Sequence, residues 1–180
     1  MKRAWLFPDH APLDLFSGYE SIESGDMIIA IDAGLNFIHH KGIAPQLIIG
    51  DFDSLNPSLL ELYPDVSRLT FSSHKDETDT ELAVDWCLEN SFDEIIICND
   101  LEGRFDHALA LLQNMLKAHQ MGVSCRIETS AQRAFFLNSH NVLTSLKGAT
   151  LSLLCWSPKA VFGFSAGLAW PLQGLELRQT

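Results

Sequence analysis

Positive charge is scarce in this 180-residue chain: 12 Lys and Arg stand against 23 Asp and Glu, a net charge of −11. The shortage is sharpest from Asp51 to Asp106, which holds fifteen of the 23 acidic residues and three basic ones, Arg68, Lys75 and Arg104. Such a surface repels phosphate backbones, so general binding to nucleic acid or an anionic membrane is excluded. Long apolar runs are lacking too. None approaches the ~20 residues of a membrane helix, and Pro8 breaks the run Ala4-Trp5-Leu6-Phe7 too early for a secretory segment. Cys87, Cys98, Cys125 and Cys155 show no CxxC spacing and sit in apolar sequence, which reads as buried reduced thiols rather than a zinc site or disulfide. Neither the GxGxxG fingerprint nor the P-loop pattern occurs, and there are no repeats or low-complexity tracts. The expectation is a cytoplasmic protein without nucleic-acid or membrane partners.

Hydrophobic residues make up 47% of the chain, with eleven Phe and four Trp, ample for a packed core. Short apolar runs bounded by Gly, Pro and Asp read as buried strands: 4–7, 27–31, 47–49, 66–71, 94–98 and 123–128. Helical spacing fills the gaps around 13–19, over 35–41 up to Gly42, over 57–63, after Thr78, and from Arg104 to Gly122. In the last of these, Ala108, Leu109, Leu112, Met115 and Leu116 share a face. Strand, helix and strand over such lengths make parallel βαβ units. From about Ser130 the texture changes to short β-like pieces, 134–137, 149–156 and 161–164, between Asn, Ser, Gly and Pro turns. The predicted architecture is α/β: an open, mainly parallel sheet with flanking helices over residues 1–130, then a short all-β domain over 131–180.

The run Leu47-Ile48-Ile49-Gly50-Asp51-Phe52-Asp53-Ser54-Leu55 concentrates the chemistry. Gly50 lets the backbone turn sharply after a strand, and Asp51 and Asp53 follow at i and i+2, a spacing that points both the same way in extended backbone. At the carboxyl edge of an open α/β sheet, where ligands bind, such a pair either holds a hard divalent cation or caps a turn. Asp32 takes the equivalent place after the strand 27–31. Thr78 and Glu81 fit a capping box, and Asp79 between them either answers the helix dipole or joins the carboxylate set. A polyanion bound in so acidic a centre needs a bridging cation, which suits Mg²⁺ with a nucleotide. Lys75 and Arg104 are isolated cations placed to neutralise phosphate oxygens. Asp106 and His107 open the following helix, His107 as a phosphate or base contact or as a hydrogen-bonding residue of the helix start. His39-His40 lacks a second ligand pair and reads as a helix surface feature.

Four motifs in order closely resemble the thiamine pyrophosphokinase family. They are Asp32-x-Gly34; Gly42-Ile43-x-Pro45 leading into Ile49-Gly50-Asp51-Phe52-Asp53-Ser54; Lys75-Asp76-x-Thr78-Asp79-x-Glu81; and Gly103-Arg104-Phe105-Asp106-His107. Farther on, Gly167-Leu168-Ala169-Trp170-Pro171-Leu172 is similar to the family's Gly-Leu-Lys-Trp-x-Leu segment, whose Trp lies against thiamine. Trp170 reads equally as the core of a β-sandwich. The resemblance implies a nucleotide domain followed by a β-sandwich, here a partial one, working as a homodimer. It also implies transfer of a pyrophosphoryl group from ATP to thiamine, giving thiamine diphosphate and AMP. It assigns Asp32, Asp51, Asp53 and Asp79 to Mg²⁺, and Asp51, Asp53, Asp79, Lys75 and Arg104 to catalysis. Asp32, Gly34, Ser54, Lys75, Thr78, Arg104, Asp106 and His107 would contact ATP, and Trp170 thiamine. The chain departs from the family at Asn99-Asp100-Leu101-Glu102, where glycines are usual, and at Ala169 in place of Lys. The family's later Ser-Asn segment is not found before Thr180, so the sandwich edge is expected to be completed by a dimer partner or left open. The alternatives are a pyrophosphokinase for another small alcohol, such as a hydroxymethylpterin, and a relative that binds without turnover.

Overall fold

A computed structural model describes every residue but Ser17, Ser54, Ser145 and Thr180, with Glu20 described by its backbone alone. The apolar runs become strands β1 (Arg3–Phe7), β2 (Met27–Ile31), β3 (Leu47–Gly50), β4 (Ser67–Thr70), β5 (Glu94–Cys98) and β6 (Ser124–Glu128). Between them lie helices α1 (Gly34–His40), α2 (Pro57–Glu61), α3 (Asp79–Glu89) and α4 (Phe105–Gln120). With β7 (Arg133–Phe135), the strands form one sheet in the order β4-β3-β2-β1-β5-β6-β7, all parallel except β7.

The pleat sorts the core into two layers because successive side chains face opposite ways. On one face Leu6, Ile29, Ile31, Ile49, Ile95, Ile97 and Ile127 pack with Ala83, Val84 and Cys87 of α3 and Leu111, Met115 and Ala118 of α4. On the other, Trp5, Phe7, Ile28, Ile48 and Ile96 pack with Leu35 and Ile38 of α1 and Leu59 of α2. Each fully buried Ile or Leu contributes about 1.5–3 kcal/mol by leaving water, so the central strands β1, β2, β3 and β5 are the most strongly held. Helix boundaries follow local chemistry. Asn56 Oδ1 accepts the Ser58 N–H at 3.0 Å with Pro57 in the first turn of α2, and Gly122, at φ 80°, ends α4.

Three expectations are corrected. Among the described residues of 13–19 there is no α-helix; Leu15 is buried against the sheet, and Tyr19–Ser21 makes a 3₁₀ turn. Residues 134–137 do not begin the β domain, because Arg133–Phe135 turns back antiparallel onto β6. The turn is made by Thr129, whose Oγ1 accepts the N–H groups of Ala131 and Gln132 at 3.1 and 2.9 Å. The fully buried Glu128 carboxylate gives the physical reason: Arg126 Nε reaches it at 2.8 Å and Arg133 Nε, from the returning strand, at 2.6 Å. The segment 149–156 forms no strand.

By its internal contacts the chain divides into residues 1–138 and 139–180. The second unit contains one antiparallel pair, β8 (Lys159–Val161) and β9 (Glu176–Arg178), joined by a Lys159–Glu176 ion pair at 2.6 Å. Among its described residues the regular structure is this hairpin-like pair, not two packed sheets. Trp170 is 81% exposed, which removes the core reading of that side chain. Among the described residues no helix is long and apolar enough to cross a membrane.

Candidate active site

The sheet order fixes where the chemistry gathers. The chain runs outward from β1 through β2 and β3 to β4, then returns to the other side of β1 with β5. Connections therefore leave β1 and β5 in opposite directions, which makes the carboxyl edge of the sheet there a topological switch point. Asp32 follows β2, Asp51 and Asp53 follow β3, and Arg104 precedes α4 in the connection leaving β5.

Carboxylate oxygens of Asp32, Asp51 and Asp53 all lie within 4.8 Å of one another. The pleat alone does not bring them together. Phe52 sits at φ 62°, so the backbone between Asp51 and Asp53 is coiled rather than extended. Asp51 Oδ1 accepts the Asp53 N–H at 3.1 Å, closing a small turn that aims both carboxylates into one place. Asp32, itself at φ 46°, accepts the Phe52 N–H on Oδ1 at 3.1 Å. Gly50 makes that approach possible: a Cβ there would stand 2.4 Å from Asp32 Oδ1, and its φ of 152° suits glycine.

Burial raises the Asp32 carboxyl to about 6, the charge of Asp79 adds to the rise, the Phe52 N–H opposes it, and Asp51 and Asp53 add further. Burial is the main cause, and the neighbouring carboxylates add to it. Three hard oxygen donors so arranged fit a divalent cation of the Mg²⁺ type, which takes a few carboxylates and leaves room for water and phosphate.

Asp79 stands in reach of Asp32's field but its Oδ1 accepts Lys75 Nζ at 2.7 Å, both side chains being largely buried. Thr78 caps α3, its Oγ1 accepting the Glu81 N–H at 3.1 Å, while the Glu81 carboxylate reaches Lys117 Nζ on α4 at 3.5 Å. Gly34 has a packing reason of its own, since a Cβ there would lie 1.8 Å from Phe7 O at the end of β1. Arg104 and Asp106 are exposed and paired through Nη2 and Oδ2 at 2.6 Å, which raises the guanidinium and lowers the carboxyl. His107 shares that first turn of α4. Ser54 lies outside the described residues, and Trp170 belongs to the second unit.

Sequence reasoning missed the connection after β1. Asn99, 7% exposed, donates from Nδ2 to Asp9 O at 2.6 Å and accepts the Leu101 N–H on Oδ1 at 2.7 Å. The Asp100 N–H bonds His10 O at 2.9 Å. The usable signal was position: Pro8-Asp9-His10 stands after its strand as Asp32 and Asp51 stand after theirs.

Fold and site together define an α/β protein with a carboxylate cluster at the carboxyl edge of its mainly parallel sheet. The chain belongs to the thiamin pyrophosphokinase catalytic-domain family, whose model matches residues 19–127. It is 34% identical over 98 residues to thiamin pyrophosphokinase 1 of Caenorhabditis elegans, covering 49% of this chain and 39% of that protein. It is 32% identical over 101 residues to the thiamine pyrophosphokinase of Bacillus subtilis, covering 55% of this chain and 47% of that one. The chain thus spans less than half the length of these two relatives. The Bacillus subtilis crystal structure superposes with a TM-score of 0.60 at 25% identity, over 70% of this chain and 59% of that one. The Geobacillus thermodenitrificans structure shares the fold, with a TM-score of 0.71 at 20% identity over 99% and 84% of the two chains.

Proposed function

We propose that this protein transfers a pyrophosphoryl group from ATP to the hydroxyl of thiamine, releasing AMP, and that it works as a cytoplasmic homodimer. The observation that carries the reading is the convergence of the Asp32, Asp51 and Asp53 oxygens within 4.8 Å at the sheet edge. The family match and the names of the relatives support it.

In the reaction the alcohol oxygen bonds to the β-phosphorus while the bond from that phosphorus to the AMP oxygen breaks. The hydroxyl proton passes to one of the site's carboxylates. A divalent cation, Mg²⁺ by the chemistry of the donors, would be held by Asp32, Asp51 and Asp53 with Asp79 beside them, and would supply neutralisation of phosphate charge. Lys75 is withheld from solvent by Asp79 and Phe71, its Nζ lying 5.7 Å from the Phe71 ring centroid. It offers a pre-positioned positive charge to phosphate oxygens. Arg104 can present a bidentate fork to a phosphate once it leaves Asp106. Thr78 orders the start of α3 and so the Lys75–Asp79 pair. Gly34, Ser54, Asp106 and His107 complete the ATP contacts in this reading. The chain acts chiefly by positioning and charge compensation, as phosphoryl transfer requires. Trp170 contacts thiamine in this reading.

The test is AMP release from Mg-ATP with a panel of alcohols that includes thiamine and a hydroxymethylpterin. Thiamine-dependent AMP is the expected result. AMP release with the pterin alone would reassign the acceptor, and ADP as product would overturn the reaction type.

A further inference from the structure

We propose that His10 is a further nucleotide-positioning residue, its imidazole contacting the phosphates of the adenine nucleotide between the carboxylate cluster and Arg104. The proposal rests on the pyrophosphokinase reading and assigns a side chain to it that the motifs do not contain.

Strand order puts the end of β1 between the two groups of charged residues. Asp32 follows β2, Asp51 and Asp53 follow β3, and Arg104 lies beyond β5, while β1 runs between β2 and β5. Adjacent strands are about 4.8 Å apart, so the ends of β2 and β5 are separated by roughly 10 Å, the scale of an extended polyphosphate. A nucleotide that reaches the carboxylate cluster at one end and Arg104 at the other must therefore cross the end of β1. The residues found there are Pro8, Asp9 and His10.

His10 is held in that position from several sides. Its carbonyl accepts the Asp100 N–H at 2.9 Å, and its own N–H bonds Asp9 Oδ1 at 2.9 Å. The neighbouring Asp9 carbonyl is bound by the buried Asn99 side chain at 2.6 Å, so the connections after β1 and β5 are fastened to one another. The imidazole stands against Gly103, where a Cβ would come 2.9 Å from Nε2, one residue before Arg104. Gly103, at φ 81°, leaves the space that the ring occupies. The His10 side chain remains 46% exposed, so the ring is available to a ligand. Asp9 Oδ2 lies 3.4 Å from Nε2 and orients the ring.

The backbone supplies an independent argument. His10 sits at φ 59° and Leu101, in the connection that leaves β5, also at φ 59°. Left-handed backbone is unfavourable for a non-glycine residue and collects at functional sites. A residue kept at position 10 for stability alone would be replaceable by glycine at no loss. One kept for its imidazole would not.

The discriminating experiment uses His10→Gly, which relaxes the backbone, and His10→Asn, which tolerates it but is too short to reach as far. Binding of α,β-methylene-ATP with Mg²⁺ is measured by calorimetry, together with the thermal midpoint of each free protein and the KM values for ATP and thiamine. The expected result is a roughly tenfold weaker Kd and a raised KM for ATP in both variants. The thiamine KM and the thermal midpoints should stay unchanged, and the surface variant His40→Asn should match the wild type throughout. Wild-type Kd in both variants would overturn the proposal, as would a fall in midpoint that parallels the loss of affinity. If the wild type itself binds no analogue, the pyrophosphokinase reading falls and this proposal with it.

Discussion

Replacing Gly50 with alanine probes the geometry of the carboxylate cluster without removing any carboxylate. The added Cβ would stand 2.4 Å from Asp32 Oδ1 and 2.9 Å from its Cγ, on a backbone at φ 152°. That backbone conformation costs a non-glycine residue about 1–3 kcal/mol. Displacing the Asp32 carboxylate also breaks its bond to the Phe52 N–H, at 3.1 Å in the wild type, a charge-assisted contact worth about 1.5–3 kcal/mol. The sum, about 2.5–6 kcal/mol, lowers the thermal midpoint by roughly 5–25 °C in a chain of this size. Because a displacement of about 1 Å in a positioned group costs about 100-fold in rate, turnover should fall by at least that much. Calorimetry and a steady-state AMP assay at a temperature where the variant is folded measure the two effects separately. In an Asp32→Gly background the stability cost of Gly50→Ala should shrink to its backbone part, since the clashing side chain is gone. A Gly50→Ala protein with wild-type midpoint and turnover would refute this account of the turn.

Further outcomes test other links. Asp51→Asn and Asp53→Asn should each abolish turnover while circular dichroism and the thermal midpoint stay close to wild type, because both side chains lie at the surface edge of the fold. Gly34→Ala should destabilise by more than about 4 kcal/mol or prevent folding, since the new Cβ meets the Phe7 carbonyl oxygen at 1.8 Å and backbone cannot swing aside; soluble yield and urea unfolding report it. Burial pushes the Asp26 carboxyl up, but bonds from Arg3, the Glu23 N–H and Trp5 Nε1 together hold it below its ordinary value. A depressed folded value means that its stabilisation is full above the unfolded carboxyl range and is lost as pH falls through the folded value. The stability gap between wild type and Asp26→Asn, measured by urea unfolding, should therefore be wide at neutral pH and close in strong acid.

Much of the sheet was legible because β1, β2, β3 and β5 are short apolar runs buried on both faces, and Gly, Pro and Asp mark their ends. Asp32, Asp51 and Asp53 were legible for a positional reason, each coming just after such a run. The turn that makes them converge was not, since nothing in the residue type of Phe52 announces a φ of 62°. β7 was misplaced because three residues carry too little pattern to reveal a partner, and what recruits it is the buried Glu128, which pairs with Arg133 at 2.6 Å. The weak apolar spacing over 13–19 failed differently: Leu15 is buried, but by irregular chain rather than by a helix face. His10 carried no signal alone, because a single histidine after a proline turn gains meaning only when β1 is known to lie between β2 and β5.

The central claim is that carboxylates gathered at the sheet edge serve pyrophosphoryl transfer. ³¹P NMR of the wild-type protein with ATP, thiamine and Mg²⁺ tests it most directly. The account predicts AMP and thiamine diphosphate appearing in equal amounts, with both signals abolished by a chelator and by Asp51→Asn. ADP with thiamine monophosphate, or an undiminished rate in the chelator, would contradict it.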